Sequence, residues 1–155
     1  RCIKACPTGA ITGPYQLDAR LCISYLTIES KGSIPLALRP LIGNRIFGCD
    51  DCQLVCPWNK DAETTVEMDF KPRHELDSSA LTDLFLWSED TFMKRTEGSA
   101  IRRVGYIGWL RNIAVGLGNA PTSDTVVAAL QARKDHPSEL VREHTHWALE
   151  MHGQG

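Results

Sequence analysis

Apolar residues recur at helical spacing through the second half of the chain, from about residue 78 onward. Segment 110–118 resembles segment 141–149 about 31 positions later, since each has an arginine near one end and a small residue with a leucine near the other. Between them, Pro121 opens a further helix whose apolar residues also recur at helical spacing. The repeat predicts a short array of stacked helix pairs.

The beginning of the chain has a different pattern, in which short segments are separated by proline and glycine. Asp18 is the predicted N-cap of a helix that runs to Glu29. Residues 38–46 are interrupted by a proline and a glycine, so they predict only a short helix or a turn.

An acidic stretch separates these two parts. Span 61–90 contains nine acidic residues and two basic ones, and its first part has no clear apolar period. We interpret residues 61–77 as an acidic linker, with Ser78 as the N-cap of the first helix that follows. The predicted units are therefore 1–60, 61–77 and 78–155.

All six cysteines lie in the first unit, and two of them are followed directly by proline. They are Cys2, Cys6, Cys22, Cys49, Cys52 and Cys56. The last three have the spacing C-x2-C-x3-C-P, a variant of the bacterial ferredoxin run C-x2-C-x2-C-x3-C-P that lacks its first cysteine. Because thiolates suit soft iron, the spacing predicts that all six bind [4Fe-4S] clusters.

Other roles for these cysteines are a disulfide framework, a set of unrelated buried thiols, or a structural zinc site. The spacings favour metal over disulfides. Zinc suits C-x2-C, but the x3 spacing, the two Cys-Pro endings and the absence of a second matching C-x2-C count against it.

The ligand count depends on a feature of two-cluster ferredoxins, in which the cysteine before proline binds the other cluster. If the same exchange holds here, Cys6 joins Cys22, Cys49 and Cys52 on one cluster. The other two cysteines then join two upstream cysteines that are not in this sequence. The chain is thus expected to complete one cluster alone and to be the C-terminal part of a longer protein.

Together these patterns predict a mainly α-helical protein in which a ferredoxin-like unit for two [4Fe-4S] clusters is followed by a HEAT-like helical repeat array. The net charge of -2 is uninformative about partners. There is neither a signal peptide nor an apolar run of about 18 residues, so we expect a cytoplasmic protein that does not enter a membrane, and a monomer. No other cofactor fingerprint is present, which implies an external electron donor and a catalytic site upstream.

One stretch of the second half is basic, with five cations against a single acid in eighteen residues. The cations are Lys94, Arg95, Arg102, Arg103 and Arg111, interleaved with Tyr106 and Trp109. Such a stretch suits contacts to nucleic-acid phosphates. It equally suits an exposed helix face whose aromatic residues turn to the core.

Four segments resemble the epoxyqueuosine reductase family. They are CPTGAI at 6–11, LDARLCISYLTIE at 17–29, IGNRIFGCDDCQLVCPWN at 42–59 and the helix at 101–119. The resemblance covers essentially the whole chain. It is specific, because the gaps between the cysteines and the helices that follow fit together in one order.

The resemblance implies a cobalamin-dependent enzyme that removes the epoxide oxygen of epoxyqueuosine at the anticodon wobble position of tRNA. Two [4Fe-4S] clusters would feed electrons to cobalamin, held between an N-terminal domain and the ferredoxin-like unit. The proton donor of the family lies in that N-terminal domain, so no catalytic residue is expected in this chain. Ser24 and Asp50 are candidates to contact cobalamin. The HEAT-like helices and their basic stretch would grip the anticodon arm of the tRNA.

Three other functions stay open from the sequence. A reductive dehalogenase also combines cobalamin with two clusters. A ferredoxin-type electron-transfer module could serve an unrelated enzyme. A zinc-stabilised tRNA-binding module would have no redox role.

Overall fold

A computed structural model describes residues 1–155 and is mainly helical. The α-helices are α1 (Cys2–Ala5), α2 (Arg39–Ile42), α3 (Asp51–Leu54), α4 (Leu81–Phe85), α5 (Glu89–Arg95), α6 (Gly105–Gly118), α7 (Asp124–Gln131) and α8 (Glu139–Met151). Five 3₁₀ turns cover Ala19–Leu21, Leu36–Leu38, Pro57–Asn59, Met68–Phe70 and Ala100–Val104, and Tyr25–Glu29 is a π-helix. The only sheet is an antiparallel hairpin of β1 (Ile11–Gly13) and β2 (Gln16–Leu17).

The longest helices, α6 and α8, pack against each other and form the centre of the protein. They contain the two similar segments of the sequence, 110–118 and 141–149. The helices can approach closely because Gly118 has no side chain: a Cβ atom there would lie 3.0 Å from the Cα atom of Ala148. No helix of the protein has the length and apolarity needed to cross a membrane.

One apolar core joins the beginning of the chain to the helices. Buried residues such as Ile23, Leu26 and Ile42 belong to the same cluster of 22 side chains as Trp109 and Leu130. Segment 61–77, between the two, is exposed apart from Leu76. The cysteine-bearing segments therefore rest on the helices through shared apolar packing.

Two helix boundaries differ from the predictions. Asp18 does cap a helical turn, because its carboxylate accepts from the amide of Arg20, but the turn ends at Leu21 and Cys22 is extended, with ψ 123°. The predicted helix to Glu29 is therefore broken at the cysteine. Ser78 is not an N-cap: its hydroxyl donates to the carbonyl of Glu75, and α4 begins later, after Ala80. The predicted short helix within residues 38–46 is confirmed as α2.

Candidate functional site

Four of the six cysteines line one cavity of about 320 Å³. These are Cys6, Cys22, Cys49 and Cys52, the four that the sequence assigned to one cluster. Most of the remaining wall is apolar and comes from the hairpin and the turn before it, including Pro7, Ile11 and Leu17. The chain thus brings four thiols from separate segments to one apolar space.

Each thiol reaches the cavity from a point where regular structure stops or starts. Cys6 is the extended residue that ends α1, and Cys22 is the extended residue between the 3₁₀ turn and the π-helix. Gly48, with φ 77°, precedes Cys49, and a residue with a side chain is strained at that angle. Cys52 lies in the first turn of α3. No group of three or more Cys, His, Asp or Glu side chains is placed to hold a single metal ion.

The sulfur of Cys6 has hydrogen-bond partners in the loop that follows it. The amide of Ala10 donates to its Sγ atom at 3.3 Å, and the Thr8 hydroxyl lies 3.7 Å from the same atom. Burial raises the pKa of this thiol, but hydrogen bonds from the backbone of Ile11 and from Thr8 outweigh it, so that the net pKa is lowered. The loop therefore favours a thiolate at Cys6.

The surroundings of Cys49 have the opposite effect. Burial is the main cause of its raised pKa, and the negative charge of Asp51 adds to it, against a backbone hydrogen bond that lowers it. A bound metal would supply the positive charge that stabilises the thiolate here.

Two hydroxyls of the segment after Cys22 hold the loop that carries Cys49. The Ser24 hydroxyl accepts from the amide of Cys49 at 2.9 Å and lies 3.3 Å from its carbonyl oxygen, to which it donates. The Thr27 hydroxyl accepts from the amide of Gly48 at 3.0 Å and donates to the carbonyl of Ile23. The positions of Cys22 and Cys49 are thus fixed by one segment.

The other two cysteines lie apart from this cavity. Cys2 begins α1, which packs against α3. Cys56 lines a second, open cavity of about 540 Å³ together with Arg1 and Pro57. The structure therefore separates the six cysteines into a set of four and a remainder of two.

An open cleft of about 630 Å³ lies on the other side of the Cys49 loop. Both predicted cofactor-contacting residues, Ser24 and Asp50, line it, together with Ile28, Arg45 and other residues of 44–51. The cleft and the cysteine cavity share Cys49 and Asp51. Residues of the Cys49 loop thus form part of the wall of both spaces.

Ser24 and Asp50 are not equivalent in this cleft. The hydroxyl of Ser24 already bonds the Cys49 backbone. Asp50 is the N-cap residue of α3, is exposed, and makes no side-chain capping bond. Its carboxylate is therefore the freer of the two groups. The neighbouring Asp51 is held by Arg45, with 2.7 Å between Nη2 and Oδ2.

Four of the five predicted RNA-contacting residues lie at or near the surface. Lys94 and Arg95 are in the last turn of α5, and Arg102 and Arg103 are in the 3₁₀ turn before α6. Arg95 stacks on Trp87, whereas Arg103 pairs with Glu29 at 2.8 Å.

Arg111 is a correction to the predicted basic surface, because its side chain is 0% exposed. Its guanidinium donates to the carbonyls of Leu26, Ser30 and Gly32, all in the segment that follows Cys22. Burial lowers the pKa of Arg111 to about 10, so it stays charged at neutral pH. It cannot reach a phosphate without leaving the core.

Asn112, for which the sequence predicted no role, is buried like its neighbour Arg111. Its amide donates to the carbonyls of Thr27 at 2.7 Å and Ile46 at 2.8 Å. The signal was present in the sequence: Arg111 and Asn112 are adjacent polar residues inside the apolar run of α6. Polar groups at core positions indicate a buried hydrogen-bond network.

Comparison with known families matches residues 1–59 to the 4Fe-4S double cluster binding domain. This range includes all six cysteines.

Proteins of known name are similar over nearly the whole chain. The epoxyqueuosine reductase of Pseudomonas aeruginosa is 66% identical over 99% of this chain and 42% of its own length. That of Escherichia coli K12 is 60% identical over 96% of this chain and 39% of its own length. The chain therefore spans about two fifths of the relatives it matches.

A solved structure has the same fold. It is a crystal structure of epoxyqueuosine reductase with an epoxyqueuosine-modified tRNA-Tyr stem loop, and it matches with a TM-score of 0.89 at 33% identity. The match covers 98% of this chain and 40% of that chain.

Proposed function

We propose that this chain, which is homologous to the epoxyqueuosine reductases over almost its whole length, is the electron-carrying part of an enzyme that converts epoxyqueuosine to queuosine in tRNA. The observation that carries the proposal is the single cavity lined by Cys6, Cys22, Cys49 and Cys52. A [4Fe-4S] cluster takes one thiolate at each of four irons. Four thiols that line one largely apolar cavity suit that requirement.

The six cysteines would serve two clusters. The set of four completes the first, and Cys2 and Cys56 contribute to the second, with two ligands from outside these 155 residues. When bound, the clusters would supply single electrons to a cobalamin. The chain's own part is to hold the thiolates, to donate the Ala10 amide to the sulfur of Cys6, and to shield the site with the apolar hairpin.

Cobalamin would lie against the cleft that Ser24 and Asp50 line. The cleft fits this role because it shares Cys49 with the cysteine cavity, which leaves a short path between the two groups. We assign direct contact to the free carboxylate of Asp50. Ser24 shapes the cleft wall through the Cys49 backbone.

The helices would bind the tRNA as a HEAT-like array. A similar structure was solved with a tRNA stem loop. After the exclusion of Arg111, four of the predicted cations lie at or near the surface: Lys94, Arg95, Arg102 and Arg103. Contacts from such cations to phosphates supply affinity without reading sequence.

The rest of the enzyme lies outside this chain in the proposal. The proton donor belongs to another domain, an external protein or reductant supplies electrons, and the enzyme works as a cytoplasmic monomer. These assignments are consistent with relatives more than twice as long as this chain.

The test replaces one cysteine of each set in the full-length protein, purified without oxygen. Cys22→Ala should remove the reduced-state EPR signal of the first cluster, and Cys56→Ala should remove the other signal, because each deletes a ligand of a different cluster. If Cys22→Ala leaves the spectrum unchanged, or both variants remove the same signal, the assignment of ligands to two clusters is wrong.

A further inference from the structure

Arg111 and Asn112 are buried polar residues in α6, and neither has a role in the function proposed above. No carboxylate pairs with Arg111 in this structure; five hydrogen bonds go instead to three carbonyls and to the Oδ1 atom of Asn112. Burying a charge is costly unless hydrogen bonds compensate it. A cation buried in this way indicates a specific structural task.

The carbonyls that receive these bonds belong to the π-helix Tyr25–Glu29 and to the residues just after it. A helix leaves its last carbonyls without partners inside the helix, and cations are favoured there by the helix dipole. The Leu26 carbonyl accepts from Arg111 at 2.7 Å and the Thr27 carbonyl from Asn112 at 2.7 Å. Helix α6 therefore caps the π-helix with two side chains.

Asn112, whose Oδ1 atom accepts two hydrogen bonds from Arg111, reaches the loop of Cys49 by two routes. Asn112 donates directly to the carbonyl of Ile46, three residues before the cysteine. It also fixes Thr27, whose hydroxyl accepts from the amide of Gly48. Ser24, on the preceding turn, bonds the amide of Cys49 itself.

We propose that Arg111 and Asn112 are positioning residues for the first cluster, acting through the segment after Cys22 and the loop before Cys49. The pair joins the central helix α6 to the segments that hold two of the four thiols. Shifts of these ligands change the hydrogen bonds to sulfur and the solvent access, which set the reduction potential of a cluster. This inference rests on the cluster assignment in the function proposed above.

Helix α6 supplies a matched control for Asn112. Asn119, its C-cap residue, makes the same kind of contact, with its amide donating to the carbonyls of Arg39 and Gly43 at 2.8 and 3.0 Å. Those carbonyls belong to α2 and the turn after it, not to the π-helix. Loss of either asparagine should destabilise the fold, but only the loss of Asn112 should change the properties of the cluster.

The experiment compares Asn112→Ala and Asn119→Ala in the full-length protein purified without oxygen. We expect Asn112→Ala to shift or broaden the EPR signal that Cys22→Ala removes, and to change the midpoint potential of that cluster. Asn119→Ala should lower the midpoint of thermal unfolding while leaving the signal and the potential as in the wild type. If the two variants have the same spectrum and potential, the proposal is overturned.

A second pair decides the question if Asn112→Ala does not fold. Thr27→Val removes only the hydroxyl, which accepts from the Gly48 amide and donates to the carbonyl of Ile23, whereas Thr27→Ser keeps both hydrogen bonds. The valine variant should show the shifted signal, and the serine variant should have the wild-type signal. Equal spectra for both variants would overturn the proposal. A wild-type protein without any reduced-state signal would instead reject the cluster assignment itself.

Discussion

The cysteine-bearing part of the chain, residues 1–59, and the helical part after residue 80 are stabilised in different ways. In the first, no α-helix is longer than four residues, whereas α6 and α8 in the second have 14 and 13. Helices of one turn are marginal by themselves. The first part relies on side-chain contacts to its backbone, on α6, and on any metal that its thiols bind.

The proposed roles divide in the same way, with cluster binding in the first part and RNA binding in the second. The thiols are held at loops and helix ends, where the backbone can turn each sulfur inward. The cations proposed for RNA lie on short helical elements that pack on a dense core. Arg111 and Asn112 are the contact through which the second part supports the first.

Metal removal should have the largest effect, and it should be confined to one part. Stripping iron from the full-length protein with a chelator removes the shared partner of four thiolates. Hydrogen exchange in residues 1–59 should rise strongly, while α6 and α8 stay protected by their apolar packing. Equal loss of protection in both parts would remove the distinction between them.

Gly118→Ala should destabilise the helical part without touching the cluster. The added methyl group would lie 3.0 Å from the Cα atom of Ala148 and 2.5 Å from the ring of Trp147, so α6 and α8 must move apart. We expect a loss of about 1–3 kcal/mol in the free energy of unfolding, measured by denaturant titration.

Gly32→Ala is the control for that substitution, because nothing lies within 4 Å of the added atom. It should change stability by less than about 0.5 kcal/mol. The EPR spectrum of Gly118→Ala should match that of the wild type. A stability change as small as that of the control would show that the two helices are not closely packed.

Acid should weaken the contact between α8 and the beginning of the chain. Burial, followed by the charge of Arg39, lowers the pKa of His144 to about 4. Its Nε2 atom accepts from the amide of Ile34, and its Nδ1 atom can donate to the carbonyl of Leu140, so a second proton would break one bond.

The sign of the pH effect follows from this lowered pKa. Between pH 6.5 and about 4, the unfolded state binds a proton at His144 that the folded state does not, so stability falls as the pH falls. From pH 7 to 5 the loss is about 2 kcal/mol. His144→Gln should flatten this dependence, whereas His146→Gln, at an exposed histidine of the same helix, should keep it. Identical pH profiles for both variants would contradict the assignment.

The smallest expected effect concerns the surface that we propose binds RNA. Replacing Arg102 and Arg103 together by alanine should weaken tRNA binding and reduce the slope of log affinity against log salt by about 2. Lys134→Ala, at an exposed lysine after α7, should change neither quantity. If the double variant has the same affinity and slope as the wild type, these arginines are solvent-exposed residues that do not contact RNA.

Spacing along the chain predicted a part of the site. The sequence placed Cys6 with Cys22, Cys49 and Cys52 on the condition that the ligand exchange of two-cluster ferredoxins holds, and the same four cysteines line one cavity. Spacing has this power because short loops limit where a thiol can be placed.

Burial of polar side chains could not be predicted in the same way. Arg111 was expected on the surface because it lies in a basic stretch of the sequence. Its burial depends instead on residues 26–32, about 80 positions away, whose carbonyls accept its hydrogen bonds. Similarly, the helix predicted to run to Glu29 is interrupted at Cys22, where the backbone is extended and the residue lines the cavity. In both places tertiary contacts overrode the local pattern.

The most direct test of the central claim is the iron, acid-labile sulfide and corrinoid content of the full-length protein purified without oxygen. Two [4Fe-4S] clusters would give about eight irons and an equal amount of sulfide for each protein. The proposed function also predicts one corrinoid. About four irons for each protein without corrinoid would leave only a ferredoxin-type electron carrier. Zinc in place of iron and sulfide would contradict the redox role altogether.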